Sequence, residues 1–212
     1  MRRERQIMLQ AFITNLGRYN EGCLDGEYLS LPATQDEVMA LLERIHIDGI
    51  RYEEIFITDY ESDIDGLSQH LGEYESIDEL NYLAQLLDDL QDYELELFAA
   101  AVQYGDHTGS VKDLINLAQN LDSYQLYSGI FNEDDLGRYY AEELCCLDVP
   151  EHLQNYIDYE AYGRDIDIES SGTFVDAGYI VHDGSFCEYY EGCDDLPDEH
   201  RIFMYPEGGH CE

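Results

Sequence analysis

Three glycines near the start of the chain have a spacing that could bind phosphate. Gly17 and Gly22 are separated as in the loop G-x-x-x-x-G-K-[ST], whose backbone N–H groups, lysine and hydroxyl hold the phosphates of a nucleotide. Cys23 and Leu24 stand where that loop needs its Lys and its Ser or Thr, and the single lysine of the chain is Lys112. We therefore expect these glycines, with Gly26, to shape a hairpin connection between two strands.

Two other groups of residues have the chemistry of metal ligands. If Gly66 is position 6 of a calcium loop, then Glu61, Asp63 and Asp65 fall on positions 1, 3 and 5, but Gly72 occupies position 12, which needs a bidentate Glu. The second group has no compact zinc spacing, and it consists of Cys187, Cys193, His200, His210 and Cys211. We expect a solvated acidic turn and unliganded thiols, with no metal and no other cofactor.

No known catalytic pattern stands out in the chain. The motifs G-x-S-x-G and H-E-x-x-H are absent, as is the glycine pattern of dinucleotide-binding folds. Carboxylate pairs occur along most of the sequence, so their presence selects no site. We expect the protein not to be an enzyme.

The charge of the chain restricts its partners. It has 48 Asp and Glu against 10 Lys and Arg, a formal net charge of −38, while 44% of its residues are hydrophobic. Such a chain can bury a core, but it repels nucleic acid and anionic membranes, so its partner should be cationic. A protein with a basic groove is one such partner, and a metal ion is the other. An acidic calcium- or metal-binding protein is therefore the alternative function.

The cysteines and the N-terminus predict a cytoplasmic location. Six cysteines occur, and the basic N-terminal segment is followed neither by a long apolar run nor by a small-residue cleavage site. We expect no signal peptide and no membrane span, and hence reduced thiols.

The pattern of apolar residues predicts an α+β fold of three small units with a tail. Strands are expected over 7–14, 27–31 and 50–58, and the motifs T-x-x-E at Thr34 and S-x-x-E at Ser76 predict helix starts. A short helix is expected over 149–163. The predicted units are a β-β-α-β unit at 1–73, a helical unit at 74–121, an α/β unit at 122–184 and a cysteine-containing tail at 185–212.

Several long segments resemble the ArdA antirestriction family of mobile elements. They occur in order from about residue 11 to about residue 182, and the tail lies outside them. The segments are FITNLGRYNEG, GEYLSLP, FITDYE, SIDELNYLAQLL and GRYYAEELCCLDVPEHLQNYIDYEAYGRDIDIESSGTFVD.

The resemblance implies a DNA mimic that occupies the DNA-binding groove of type I restriction–modification enzymes and so protects incoming DNA. It also implies an elongated protomer that forms a curved homodimer, with the antirestriction motif over 147–165 near the dimer contact. The charge is compatible with this, because 38 negative charges correspond to about 65 Å of duplex. In this interpretation Glu21, Asp25 and Glu27 are phosphate surrogates at the rim of the glycine-containing turn.

Two sets of residues are predicted to contact partners. The carboxylates expected to imitate phosphates are Asp59, Glu61, Asp63, Asp65, Asp78, Asp88, Asp89, Asp92, Glu94, Asp134, Asp135, Glu142, Asp158, Glu160, Asp165 and Asp167. The residues expected at the dimer interface are Val149, Leu153, Tyr156, Tyr159 and Tyr162. Tyrosines 139 and 140 belong to the same aromatic-rich stretch, and tyrosine is enriched at interface cores.

Overall fold

A computed structural model describes residues 9–147, 150–182 and 184–205. Its helices and strands, in chain order, are β1 (Leu9–Asn15), α1 (Leu16–Asn20), β2 (Gly26–Leu31), α2 (Gln35–Arg44), β3 (Ile55–Ser62), α3 (Ile77–Asp89), α4 (Asp92–Tyr104), α5 (Val111–Gln119), β4 (Tyr124–Ser128), α6 (Glu133–Arg138), α7 (Tyr159–Ser170), β5 (Thr173–Val175) and β6 (Gly178–His182). Two small antiparallel sheets and the helices give the α+β fold that the sequence predicts.

The described residues divide into two compact units. The first comprises 9–91, 107–119 and 188–205, and the second comprises 92–106 and 120–187. Helices α3 and α5 therefore belong to the first unit and α4 belongs to the second. The finer division into three units and a tail stays a prediction. No described helix is long and apolar enough to cross a membrane.

The first sheet has the strand order β2-β1-β3, so β1 is its central strand. Leu9 pairs with Leu31 and Thr14 with Gly26, which confirms the expected antiparallel hairpin. The third strand begins at Ile55 rather than at residue 50. The side chain of Asp48 accepts hydrogen bonds from the N–H groups of Ile50, Arg51 and Tyr52, and this turn delays the strand.

Only one of the three glycines of the hairpin connection has the expected role in a turn. Gly22 has a φ of 86°, which favours glycine. Gly17 lies in α1, where the ring of Tyr52 would be 2.6 Å from an added Cβ. Gly26 begins β2, and the ring of Phe12 would be 2.4 Å from its Cβ. Close packing therefore explains two of the three glycines.

Local capping signals set the helix starts of the first unit. Thr34 and Glu37 form the complete reciprocal capping box at α2. Ser76 accepts a hydrogen bond from the N–H of Glu79 at the start of α3, but the Glu79 carboxylate instead accepts one from the hydroxyl of Tyr190, at 2.8 Å. The predicted start at Ser76 is correct, and a contact from the tail replaces the second half of its box.

The tail packs into the first unit, although its residues follow neither a helical nor a strand period. Tyr190, Leu196 and Ile202 are buried in the first unit. On α5, Nδ2 of Asn116 donates to the carbonyl oxygen of Tyr190 at 2.8 Å, and its Oδ1 accepts from the N–H groups of Tyr189 and Tyr190. These contacts make residues 188–205 part of the first unit's core.

In the second unit, helices pack beside a sheet of order β4-β6-β5. Its core contains Ile130, Leu136, Ile166 and Tyr179. The strand pair β5–β6 lies where the sequence predicts it. The short helix expected over 149–163 is wrong: a 3-10 turn covers Glu151–Tyr156, and α7 starts only at Tyr159. The side chain of Asp158 accepts from the N–H of Ala161 and starts this new helix.

Helices α6 and α7 approach each other at a pair of glycines. A Cβ on Gly137 would lie 2.0 Å from the carbonyl oxygen of Tyr159, and a Cβ on Gly163 would lie 1.8 Å from that of Glu133. No side chain fits at either position, so the two backbones are in direct contact. This contact fixes the start of α7, which carries several of the predicted carboxylates.

Candidate partner-binding surface

The few Lys and Arg side chains of the described residues all form ion pairs with carboxylates of the same chain. Arg2, Arg3 and Arg5 precede the described residues, and each of the seven other Lys and Arg side chains forms an ion pair with a carboxylate. These pairs involve seven different carboxylates of the 48 Asp and Glu in the chain. Most of the negative charge therefore has no Lys or Arg partner among the described residues.

The three rim carboxylates of the hairpin connection belong to the paired minority. Glu21 pairs with Arg51, and Glu27 pairs with Arg44 at 2.8 Å. Asp25 pairs with Arg18 and with His46. A hydrogen bond from Tyr52, together with Arg51, holds the pKa of Glu21 below its usual value. This pairing argues against the prediction that the three carboxylates act as phosphate surrogates.

The sixteen predicted phosphate mimics all reach the surface at least partly. Ten are exposed: Asp59, Glu61, Asp63, Asp65, Asp89, Asp92, Glu142, Asp158, Glu160 and Asp165. Six are half-buried: Asp78, Asp88, Glu94, Asp134, Asp135 and Asp167. The set is shared between the two units, so the structure does not gather it into one cleft.

Several of these carboxylates also form hydrogen bonds or ion pairs within the protein. Asp59 accepts a 2.6 Å hydrogen bond from the hydroxyl of Tyr28 and raises the pKa of that phenol to about 12. Asp167 accepts from the hydroxyl of Tyr179 at 2.8 Å. Asp134 pairs with Arg138 and Glu160 with Arg164, each across one helical turn.

Four other predicted carboxylates bind groups of the backbone or neighbouring side chains. Asp78 accepts from two N–H groups of the tail, and Asp158 caps α7. Asp135 accepts from the side chain of Asn132, and Glu142 lies near the hydroxyl of Tyr159, whose pKa is raised by burial and by this carboxylate. By contrast, Asp65, Asp89 and Asp165 make no side-chain hydrogen bond or ion pair with any described residue, which leaves them open to a partner.

The metal-binding candidates do not form a site within the part of the chain that the structure describes. The calcium-like segment begins within the end of strand β3 and contains a 3-10 turn over Leu67–His70, so two helices do not flank it. Among the described residues no three His, Cys, Asp or Glu side chains are arranged to hold a metal ion. His210 and Cys211 lie outside the described residues.

The predicted dimer residues separate into exposed and packed side chains. Tyr156 is 84% exposed and Leu153 is also exposed, whereas Tyr159 is only 4% exposed. The Tyr159 ring lies under the guanidinium group of Arg138, 4.4 Å from its centroid, and Tyr162 packs against the core of the second unit. Val149 lies outside the described residues.

A comparison with protein families identifies the chain. A family model described as antirestriction protein (ArdA) matches residues 11–181. The chain belongs to the ArdA family. Its members are antirestriction proteins, inhibitors of restriction enzymes rather than enzymes themselves. A comparison with curated proteins gives no significant match.

Two structural features that the sequence predictions do not include differ in their relation to the family match. The glycine pair Gly137 and Gly163 lies inside the ArdA match, whereas the buried tail lies beyond its end. A glycine in the middle of a helical segment costs about 1 kcal/mol relative to alanine, so both glycines carried a signal of close backbone approach. The tail carried no comparable signal, because its buried residues follow neither a helical nor a strand period.

Moderate salt is expected to stabilise the fold. Residues 52–111 contain sixteen Asp and Glu and no Lys or Arg, so exposed carboxylates there mainly repel one another. Screening acts over about 10 Å at 0.1 M salt, and a recovery of about 1 kcal/mol would raise the melting temperature by about 2–4 °C. Thermal unfolding monitored by circular dichroism across a sodium chloride series measures this shift. A falling melting temperature would mean that the ion pairs outweigh the repulsion.

Proposed function

We propose that the protein inhibits type I restriction–modification enzymes by occupying their DNA-binding groove as a DNA mimic. The observation that carries this proposal is the uncompensated charge: a net −38, with every Lys and Arg of the described residues already paired to a carboxylate. ArdA family membership supports it, because it supplies the restriction enzyme as the class of target.

The chemistry is recognition alone. A groove that binds DNA presents Arg and Lys side chains to phosphate oxygens, and Asp or Glu carboxylates accept hydrogen bonds from the same donors. Duplex DNA carries one negative charge per about 1.7 Å of axis, a density that only a strongly acidic protein can imitate. The same groove serves cleavage and methylation, so we expect both activities to be inhibited. The action takes place in the cytoplasm, where restriction enzymes meet incoming DNA.

A cleavage assay tests this function directly. A type I enzyme is given its DNA substrate with increasing amounts of the purified protein, and a type II enzyme with an unrelated DNA-binding site serves as the control. We expect cleavage by the type I enzyme to fall with added protein, and the type II enzyme to be unaffected. Undiminished type I cleavage at excess protein would contradict the proposal.

The binding energy is expected to be distributed over many carboxylates. Asp65→Asn, Asp89→Asn and Asp165→Asn each remove a charge without breaking an internal contact of the described residues. Each single change should cost about 1 kcal/mol or less, about fivefold in inhibition, because exposed ion pairs contribute little individually. The loss should accumulate in the triple variant, measured by titration against one type I enzyme.

A matched control separates contact from net charge. Glu21→Gln, Glu27→Gln and Asp198→Asn change the charge equally, but these carboxylates are already paired with arginines. The triple variant of these paired carboxylates should lose less inhibition than the triple variant of Asp65, Asp89 and Asp165. A single substitution that abolishes inhibition while the protein stays folded would instead indicate one localised hot spot.

We also propose a two-fold homodimer that forms through the second unit. Leu153 and Tyr156 expose apolar side chains within 147–165, the segment that the family resemblance marks as the antirestriction motif, and Leu144 is exposed just before it. Tyr159 and Tyr162 pack within their own unit, so the proposed contact rests on the exposed side chains. Light scattering at micromolar concentration should give twice the mass of the chain, and Tyr156→Asp should shift the mass towards the monomer. A monomeric mass for the unmodified protein would contradict the dimer.

A further inference from the structure

The first unit contains a groove that the tail completes. Its volume is about 420 Å³, within the range of ligand-binding pockets. One wall comes from the start of β3 and the segment before α3, and the other comes from Phe203 and Tyr205 of the tail. The ArdA match ends at residue 181, so the second wall lies outside the region that the family model covers.

Hydrogen bonds hold the tail wall in place. Oδ1 of Asp78 accepts from the N–H of Ile202 at 2.8 Å and from that of Phe203 at 2.7 Å. Ile202 is buried, and the rings of Phe203 and Tyr205 meet edge to face with centroids 5.3 Å apart. The aromatic wall is therefore anchored at its start, by two backbone hydrogen bonds and one buried side chain.

The lining combines carboxylates with exposed aromatic rings. Glu53, Glu54 and Glu75 line the groove with Asp78, and no Lys, Arg or His of the described residues does. Two of these carboxylates already accept hydrogen bonds within the protein. Asp78 accepts from the N–H of Ile202 in the tail, and Glu75 accepts from the N–H of Gly72. The side chains of Glu53 and Glu54 are exposed and make no hydrogen bond or ion pair with a described residue.

The aromatic rings are unusually accessible. Tyr74 is 72% exposed although it lies beside Phe56, with the two rings stacked at 6.4 Å between centroids. Tyr205 is exposed as well. A flat, planar cation satisfies both features, because a guanidinium group lies on an aromatic face and donates paired hydrogen bonds to a carboxylate.

We propose that this groove binds an arginine side chain of a basic protein partner. The inference rests on the proposed function for the identity of that partner, since a DNA-binding groove presents arginines. The groove supplies what an isolated surface carboxylate does not: an aromatic face next to open carboxylates. It is thus a local addition to the distributed attraction of the acidic surface.

A small probe tests the groove without any enzyme. Nα-acetyl-arginine amide is titrated into the full chain at physiological salt, with NMR of the backbone amides and tyrosine rings, and the uncharged citrulline analogue serves as the matched ligand. We expect saturable shifts concentrated on the groove-lining residues, with the arginine probe only. Shifts spread evenly over the acidic surface, or equal shifts with citrulline, would overturn the proposal.

Variants then locate the binding. Tyr74→Leu removes an exposed ring and should weaken the probe about two- to fivefold, the range expected for an exposed cation–π contact. Glu53→Gln with Glu54→Gln should also weaken it. Tyr93→Leu is the matched control, because Tyr93 is an exposed tyrosine beside an acid, Glu94, outside the groove. Equal affinities for the Tyr74 and Tyr93 variants would overturn the proposal.

The same variants distinguish failure of the groove from failure of the proposed function. If the probe binds the groove but the unmodified protein does not inhibit a type I enzyme, the proposed inhibitory function is contradicted and the proposed arginine site is supported. If the unmodified protein inhibits, and Tyr74→Leu changes neither probe binding nor inhibition, the proposed arginine site is contradicted and the proposed function is supported.

Discussion

Replacing Gly163 by alanine is expected to destabilise the second unit severely. The new Cβ would lie 1.8 Å from the carbonyl oxygen of Glu133, and backbone atoms cannot move aside as a flexible side chain can. Alanine favours a helix over glycine by about 1 kcal/mol, but the overlap forces α6 and α7 apart and should cost more than about 3 kcal/mol. Gly137→Ala should behave in the same way, since its Cβ meets the carbonyl oxygen of Tyr159.

Urea unfolding followed by circular dichroism measures this loss. Gly109→Ala is the matched control, because the nearest atom to its Cβ is 3.3 Å away at the end of the Asp113 side chain. The control should change stability by less than about 1 kcal/mol. Native-like stability of Gly163→Ala would show that the two helices do not touch at the glycines, and the position of the predicted carboxylates on α7 would have to be revised.

Asn116→Ala is expected to release the tail from the first unit. The Asn116 side chain is buried and makes three hydrogen bonds to the backbone of Tyr189 and Tyr190, which the alanine cannot replace. Buried backbone groups left without partners cost about 1–3 kcal/mol each, so we expect a loss of at least about 2 kcal/mol. Because the tail supplies one wall of the groove, the variant should also lose binding of the arginine probe.

Limited trypsin digestion reports the release of the tail directly. Arg201 is the one Lys or Arg of the tail, and its guanidinium group donates to the carbonyl oxygens of Cys193 and Leu196. Cleavage after Arg201 should become faster in Asn116→Ala, as mass spectrometry would show. Asn20→Ala, at an exposed position of the same unit, is the control and should leave the rate unchanged. Equal cleavage rates in both variants would contradict the conclusion that Asn116 holds the tail in place.

Local signals in the sequence predicted much of the first unit correctly. The capping motifs at Thr34 and Ser76 depend on residues three positions apart, so a linear pattern contains them. The late start of β3 departs from the prediction, because the side chain of Asp48 closes a turn that the apolar pattern does not reveal. The same holds for α7, which the Asp158 cap starts after a 3-10 turn.

Contacts between distant segments could not be predicted in this way. Asn116 and Tyr190 are far apart in sequence, and neither residue type at its position indicates the hydrogen bonds between them. The charge of the candidate surface follows from composition, but the pairing of Glu21, Asp25 and Glu27 with arginines depends on the folded sheet. Composition therefore predicts a cationic partner, and only the fold shows which carboxylates are already paired with arginines.

Displacement of DNA from a type I methyltransferase core tests the central claim most directly. Fluorescently labelled DNA is bound to the core, the protein is titrated in, and anisotropy reports the fraction of DNA released. We expect complete release, with an apparent DNA affinity that falls in proportion to added protein, as mutually exclusive binding requires. Release should weaken with salt less steeply than DNA binding does, because a protein lacks the condensed counterions of DNA. DNA that stays bound while the protein also binds the core would contradict the account.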